Sequence, residues 1–137
     1  MTPRSFLMVA DAPTPVAPFS HAVETDGWIF VTGQMPTWPD DDTRELPDGI
    51  TAQTQRVMDN LSLVLRGLGL GLDHAVMARV YLTRFEQDYA AMNAAYSAYF
   101  AARSLPARTC GNMDAAVSKA MSVSPLIRLI SAGAPPL

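Results

Sequence analysis

Ser20-His-Ala-Val-Glu-Thr25, then Asp26-Gly27, then Trp28-Ile-Phe-Val-Thr-Gly-Gln-Met35 is the stretch that decides the architecture. Asp-Gly suits a type I′ turn because both central positions need φ > 0, so residues 20–25 and 28–35 read as the arms of a β-hairpin. In the second arm Trp28, Phe30 and Thr32 point one way and Ile29, Val31 and Gly33 the other. Both sets are largely apolar, which predicts a central strand covered on both faces.

The flanks of the hairpin are simpler. Phe6-Leu-Met-Val-Ala10 reads as an edge strand; five residues fall short of the ~7–15 of a signal-peptide core. Four prolines in the first 18 residues keep the chain extended after it. Residues 36–47, with three prolines and Asp40-Asp41-Asp42, form a solvated loop, and the acidic triplet lacks the ligand spacing of a cation site. Asp48 is placed to cap a helix over 49–68. There Ile50, Thr54, Val57, Met58, Leu61, Leu65 and Leu68 recur at three- and four-residue steps. Gly67-Leu-Gly-Leu-Gly71 follows that helix instead of preceding one, so it reads as a C-cap and turn, not a phosphate loop.

Val76 to Thr83 is a strand rich in β-branched and aromatic residues. A second helix, 86–102, sets Tyr89, Met92, Asn93, Tyr96, Tyr99 and Phe100 near one face, an aromatic stripe that reads as core packing. Asn93 on that face points toward the sheet, where a buried amide needs partners. It either ties down a neighbouring loop or meets a ligand. The coarse order is β-β-β-α-β-α-β, with one or two more strands after Pro106, in one α+β domain spanning 1–137.

Bulk properties narrow the classes. At 137 residues, 49% apolar and 17% charged, the chain is long enough to bury a real core and is not disordered. No apolar run approaches the ~20 residues of a membrane span, so no membrane partner is expected. One cysteine excludes an intrachain disulfide and fits a reducing, cytoplasmic setting. A net charge of −3 argues against a nucleic-acid partner, which calls for a basic footprint. Two histidines, one cysteine and scattered acids make no metal-ligand pattern.

Six segments, taken in order, carry a family resemblance: Ala17-Pro-Phe-Ser-His-Ala22, Phe30-Val-Thr-Gly-Gln-Met-Pro36, Ala52-Gln-Thr54 through Asn60-Leu61, Val80-Tyr-Leu-Thr83, Met92-Asn-Ala-Ala-Tyr96 with Tyr99-Phe100, and Pro106-Ala-Arg-Thr109. Together they resemble the RidA family (YjgF/UK114, L-PSP) over about residues 17–110. The resemblance implies a chorismate-mutase-like (bacillar) α+β fold, a sheet packed on two helices, assembled as a homotrimer with a central barrel and ligand clefts between subunits. It also implies metal- and cofactor-independent hydrolysis of enamine/imine intermediates such as 2-aminoacrylate to 2-oxo acids and ammonia. Small imino or 2-oxo acids would be the partners.

On that resemblance Arg108 grips a substrate carboxylate with two parallel charge-assisted hydrogen bonds, a geometry lysine cannot reproduce. Backbone groups near Gly33 and Cys110 would orient the imine nitrogen and water. Phe19 stands where many relatives carry tyrosine, and Asn93 joins the binding set. Cys110 reads as a small pocket residue, with no histidine placed beside it as a base.

Beyond Cys110 the pattern breaks. Relatives carry a glutamate about fifteen residues after the arginine, and it positions the attacking water. Here that position is Val123, or Arg128 if five residues are inserted. Asp114 is the one acid left downstream and the weak candidate for a base. Divergence to another ligand, retained binding without catalysis, and a reading-frame change past residue 110 stay open. So does a non-catalytic, carboxylate-binding regulatory trimer. The ribonuclease role attached to some relatives is disfavoured by the acidic charge and the lack of a His/Lys/Glu cleavage set.

Overall fold

The computed structural model describes residues 3–114 and the backbone of residues 122–128. The elements follow the order β1 (Arg4–Leu7), β2 (Ala22–Thr25), β3 (Trp28–Val31), α1 (Ile50–Gly67), a 3₁₀ turn (Leu72–His74), β4 (Ala75–Leu82), α2 (Phe85–Ser97), β5 (Ala107–Asn112) and β6 (Ser122–Arg128). They form one six-stranded sheet in the order β1-β2-β3-β6-β4-β5, with the helices packed on one face. The expected α+β fold is present. The β4–β5 pair is parallel because α2 crosses between its two strands; the other pairs are antiparallel.

The hairpin forms as its sequence predicts. Asp26 and Gly27 adopt φ of 52° and 76°, and Thr25 pairs with Trp28 across the turn. Ile29 and Val31 are buried in the core with Val57, Met58, Leu61, Val64 and Leu65 of α1. The α1 stripe is therefore the face that meets the sheet. The glycine-rich segment is a helix stop. Leu70 N–H bonds the Leu65 carbonyl, Gly69 N–H bonds that of Arg66, and Gly69 takes φ +76°. This is a Schellman motif, which uses the glycine for its left-handed residue.

Four boundaries differ from the sequence reading. The N-cap of α1 is Gly49 at φ +81°, not Asp48, and no side chain caps that end. The first strand is Arg4–Leu7 instead of 6–10, because His21 captures the chain beyond it. Val9 N–H donates to His21 Nδ1 at 2.8 Å, and the other ring nitrogen lies 2.8 Å from the Pro13 carbonyl, so the imidazole is the neutral Nε2–H tautomer. The second hairpin arm ends as a strand at Val31, where Thr32 turns its hydroxyl to the Ser20 carbonyl at 2.5 Å. Finally, α2 stops at Ser97, not 102. Tyr99 and Phe100 N–H groups bond three residues back, to Tyr96 and Ser97, so the chain winds down in tight turns.

Loop 36–47 is tied to α1 by a buried asparagine. Asn60 is fully buried, and its Nδ2 donates to the carbonyls of Met35 (3.0 Å) and Thr37 (2.7 Å), while Arg56 Nε donates to its Oδ1. Trp38 in the same loop lies under the Arg44 guanidinium, 3.8 Å from ring centroid to charge centre. Asn60→Leu keeps the volume and strips both loop carbonyls of this donor. It is expected to lower unfolding free energy by about 2–4 kcal/mol in urea titration. A change under ~0.5 kcal/mol would contradict the clamp.

Candidate functional site

Arg108 sits near the start of β5, the edge strand beyond β4. Its Cα partner is Ala78, and Cys110 partners Val80. Ala78, Val80 and Leu82 are buried on the helix side of the sheet, so Arg108 and Cys110 share that side and meet α2. On α2, Tyr89, Asn93 and Tyr96 are spaced i, i+4, i+7 and therefore form one stripe. The guanidinium centre lies 5.0 Å from the Tyr96 ring centroid and 5.9 Å from that of Tyr89. Its Nη2 donates to the Tyr89 hydroxyl at 3.4 Å. Phe85 stacks on Tyr89 at 4.7 Å and backs that ring.

Arg108, Asn93, Tyr96, Ser97, Leu105 and Pro106 line a cleft of about 260 Å³. That volume suits a small molecule, since drug-sized pockets begin near ~300 Å³. Two polar atoms in its wall are sheltered from water and have no hydrogen-bond partner among the described residues: Asn93 Oδ1 and the Tyr96 hydroxyl. Burial pushes the Tyr96 hydroxyl pKa up, and the Arg108 charge only partly offsets it. The Cys110 thiol is likewise pushed up by burial against the opposing pull of Arg108 and the Gly111 N–H. A protonated thiol is a poor nucleophile, and Cys110 is not among the residues that line the cleft.

The five binding residues expected from sequence fall into two groups within one subunit. Arg108, Asn93 and Cys110 gather on β5 and α2. Phe19 and Gly33 line a separate, narrow crevice with Val16, Gln34 and Met35. Two strands separate β3, which leads to Gly33, from β5, which puts those two strands roughly 14 Å apart at ~4.8 Å per strand. Asp114 is exposed beyond the end of β5, about 20 Å along the strand from Arg108 at ~3.3 Å per residue. Among the described residues, no group of three or more His, Cys, Asp or Glu side chains could hold a metal ion.

Strand register distinguishes the two positions proposed for the glutamate. Residue 123 lies opposite Val80, whose other neighbour is Cys110. Residue 128 lies opposite Trp28 on β3, on the far side of β6 from β4. Position 123 is thus on the row that runs to the Arg108 strand. Tyr89 and Tyr96 were read from sequence as core packing only. Their spacing around Asn93 was the available signal, but nothing in the sequence alone joined that stripe to Arg108.

A six-stranded sheet backed by two helices, with an arginine set over an aromatic stripe beside a small cleft, defines an α+β domain of a recognisable kind. Comparison with known proteins gives its family. The family described as Endoribonuclease L-PSP matches residues 9–124. A RutC family protein of Pyrococcus abyssi is 39% identical over 106 residues, covering 77% of this chain and 80% of that protein. The Escherichia coli protein named 2-iminobutanoate/2-iminopropanoate deaminase is 30% identical over 102 residues, covering 73% and 77%. Among solved structures, yeast YEO7 superposes with a TM-score of 0.85 at 26% identity, covering 93% of this chain and all of the other. RidA from an Antarctic Psychrobacter superposes with a TM-score of 0.81 at 26% identity, covering 91% and 99%. The chain belongs to the RidA (YjgF/UK114, L-PSP) family.

Proposed function

We propose that this chain binds small 2-imino and 2-oxo acids through Arg108 and is a slow imine deaminase, working as a cytoplasmic homotrimer. The observation that carries the reading is Arg108 itself, a guanidinium held over Tyr89 and Tyr96 at the mouth of a small cleft. In the reaction, water adds to C2 of the imine to form a carbinolamine. The C–N bond then breaks and the nitrogen leaves as ammonia, with the 2-oxo acid as product. Arg108 fixes the carboxylate and draws electron density from C2. Proton removal from the attacking water is the slow step on this reading, because the position at which relatives carry a glutamate is Val123, or Arg128, here.

The bare side of the sheet supports the trimer. Phe6, Val23, Trp28, Phe30, Met77 and Tyr81 share the face away from the helices by strand alternation. Phe6 is 65% exposed and Phe30 51%. Arg4 and Arg79 lie on the same face, but the rest of it is the kind of aromatic and aliphatic surface that another subunit covers in stable proteins. Closing three such faces on one another also offers a way to bring one subunit's Phe19 and Gly33 toward another's Arg108. Sedimentation at micromolar concentration should give three times the chain mass of 14.8 kDa; a stable monomer would sink the assembly. A regulatory, non-catalytic trimer is the second reading, favoured by the valine at 123. Turnover of freshly generated 2-aminoacrylate decides between them: measurable Arg108-dependent acceleration supports the deaminase, and tight binding without acceleration supports the regulator.

A further inference from the structure

Arg79 is a charge set within the apolar side of the sheet. Ala78, Val80 and Leu82 are buried on the helix side of β4, so Met77, Arg79 and Tyr81 alternate onto the bare side. Phe30 and Met77 both lie opposite residue 126 and make one row across the sheet. Arg79 is in the next row with Thr109 beside it on β5, and Tyr81 is in the row after that. Met77 and Tyr81 thus flank Arg79 along the strand, which keeps it from the rim of the patch. It is exposed, and its guanidinium has no hydrogen-bond or ion-pair partner among the described residues. Nothing on the face neutralises it. Glu24 is the one acid in any of the six strands, and it pairs with buried Ile29, so it lies on the helix side. Arg4 adds a second positive charge to the bare side.

Closing three copies of this face takes Arg79 out of bulk water, where an unpaired charge is costly, and threefold symmetry brings three guanidinium groups inward together. Facing sheets pack ~10 Å apart, within the combined reach of long side chains. Gathered guanidinium groups with no carboxylate among them call for an anion. We propose that the three Arg79 side chains of an assembled trimer hold one tetrahedral oxyanion, phosphate or sulfate, on the threefold axis, a site that rests on the trimer reading above. The match is one of symmetry and of donors. A tetrahedral oxyanion set along the axis presents three equivalent oxygens, one to each subunit, and the N–H fork of arginine suits such oxygens. Thr109 brings a hydroxyl donor to the same row. The site is distinct from the cleft at Arg108, which lies on the helix side of the sheet. An anion held only by the trimer stabilises the assembly by mass action.

The test titrates inorganic phosphate calorimetrically into the full-length Arg108→Ala protein, whose cleft has lost its own anion anchor, with sedimentation run beside it. One phosphate per three chains is expected, displaced by sulfate. Adding Arg79→Met should abolish the binding while the sedimenting mass stays that of a trimer. Arg79→Lys keeps the charge and loses the fork, so it should weaken phosphate about tenfold or more. Thermal unfolding in phosphate against chloride at matched ionic strength makes the same comparison. The general stabilising effect of phosphate acts on every variant alike, and only the proteins with Arg79 should gain a further upward shift. A trimer that takes up no phosphate, takes up one per chain, or binds it equally well as Arg79→Met overturns the axial site and leaves the trimer standing. Should Arg79→Met fail to assemble, Arg79→Lys decides, because phosphate binding there at undiminished strength also overturns the site. A stable monomer in sedimentation removes the trimer reading and this site with it.

Discussion

Replacing Arg108 with lysine is expected to weaken 2-oxobutyrate binding nearly as much as replacing it with alanine, by roughly 30- to 150-fold. That range corresponds to about 2–3 kcal/mol for a charge-assisted contact. The reasoning is geometric. A guanidinium presents two parallel N–H donors to a carboxylate and lies flat on an aromatic face, whereas an ammonium is a compact point charge that does neither well. Here the charge centre lies 5.0 Å from the Tyr96 ring centroid and one nitrogen donates to the Tyr89 hydroxyl. Lysine keeps the charge but loses the fork. Calorimetric titration of the three proteins checks this. Equal affinity for wild type and Arg108→Ala would move Arg108 to a surface or interface role, and Arg108→Lys binding like wild type would show that charge alone suffices.

Local signals were the legible part of the fold. The Asp26-Gly27 turn, the α1 stripe and the glycine stop each depend on residues within a few positions of one another, and each formed as read. Boundaries failed where a distant group intervened. His21 ended the first strand from twelve residues away, and no local pattern announces an imidazole that bonds two separate backbone groups. The same distinction divides the site. Arg108 and Asn93 were legible as residues, but the contact of Arg108 with Tyr89 and Tyr96 depends on the parallel β4–β5 register, which sets β5 beside the strand leading into α2.

The region after Cys110 also looks different with the sheet in hand. The family match continues past Cys110 to residue 124, and Ser122–Arg128 fills the gap between β3 and β4. The backbone of this strand is in place whichever of the three explanations for the break holds.

On the proposed deaminase reading, position 123 is the residue that decides the rate. A positioned general base contributes ~10²–10⁴ in rate, so the wild-type chain, with valine at 123, should be a poor 2-aminoacrylate deaminase. Val123→Glu should raise kcat on freshly generated imine by a factor on the order of 10², the lower end of that range, since the surrounding cleft was not shaped around a carboxylate. Register makes the prediction specific: residue 123 lies on the row through Val80 to Cys110, while residue 128 lies opposite Trp28. Arg128→Glu should therefore leave the rate where it was. Val123→Gln serves as the control for size and polarity, because it fills the same space without a base. Should Val123→Glu turn over imine no faster than Val123→Gln, position 123 does not reach the reacting carbon. Wild-type turnover that already matches a proficient deaminase would mean that a carboxylate from elsewhere in the assembly takes the water's proton. Asp114 of an adjoining subunit would then be the first to substitute, because Asp114 within the same subunit lies about 20 Å along the strand from Arg108.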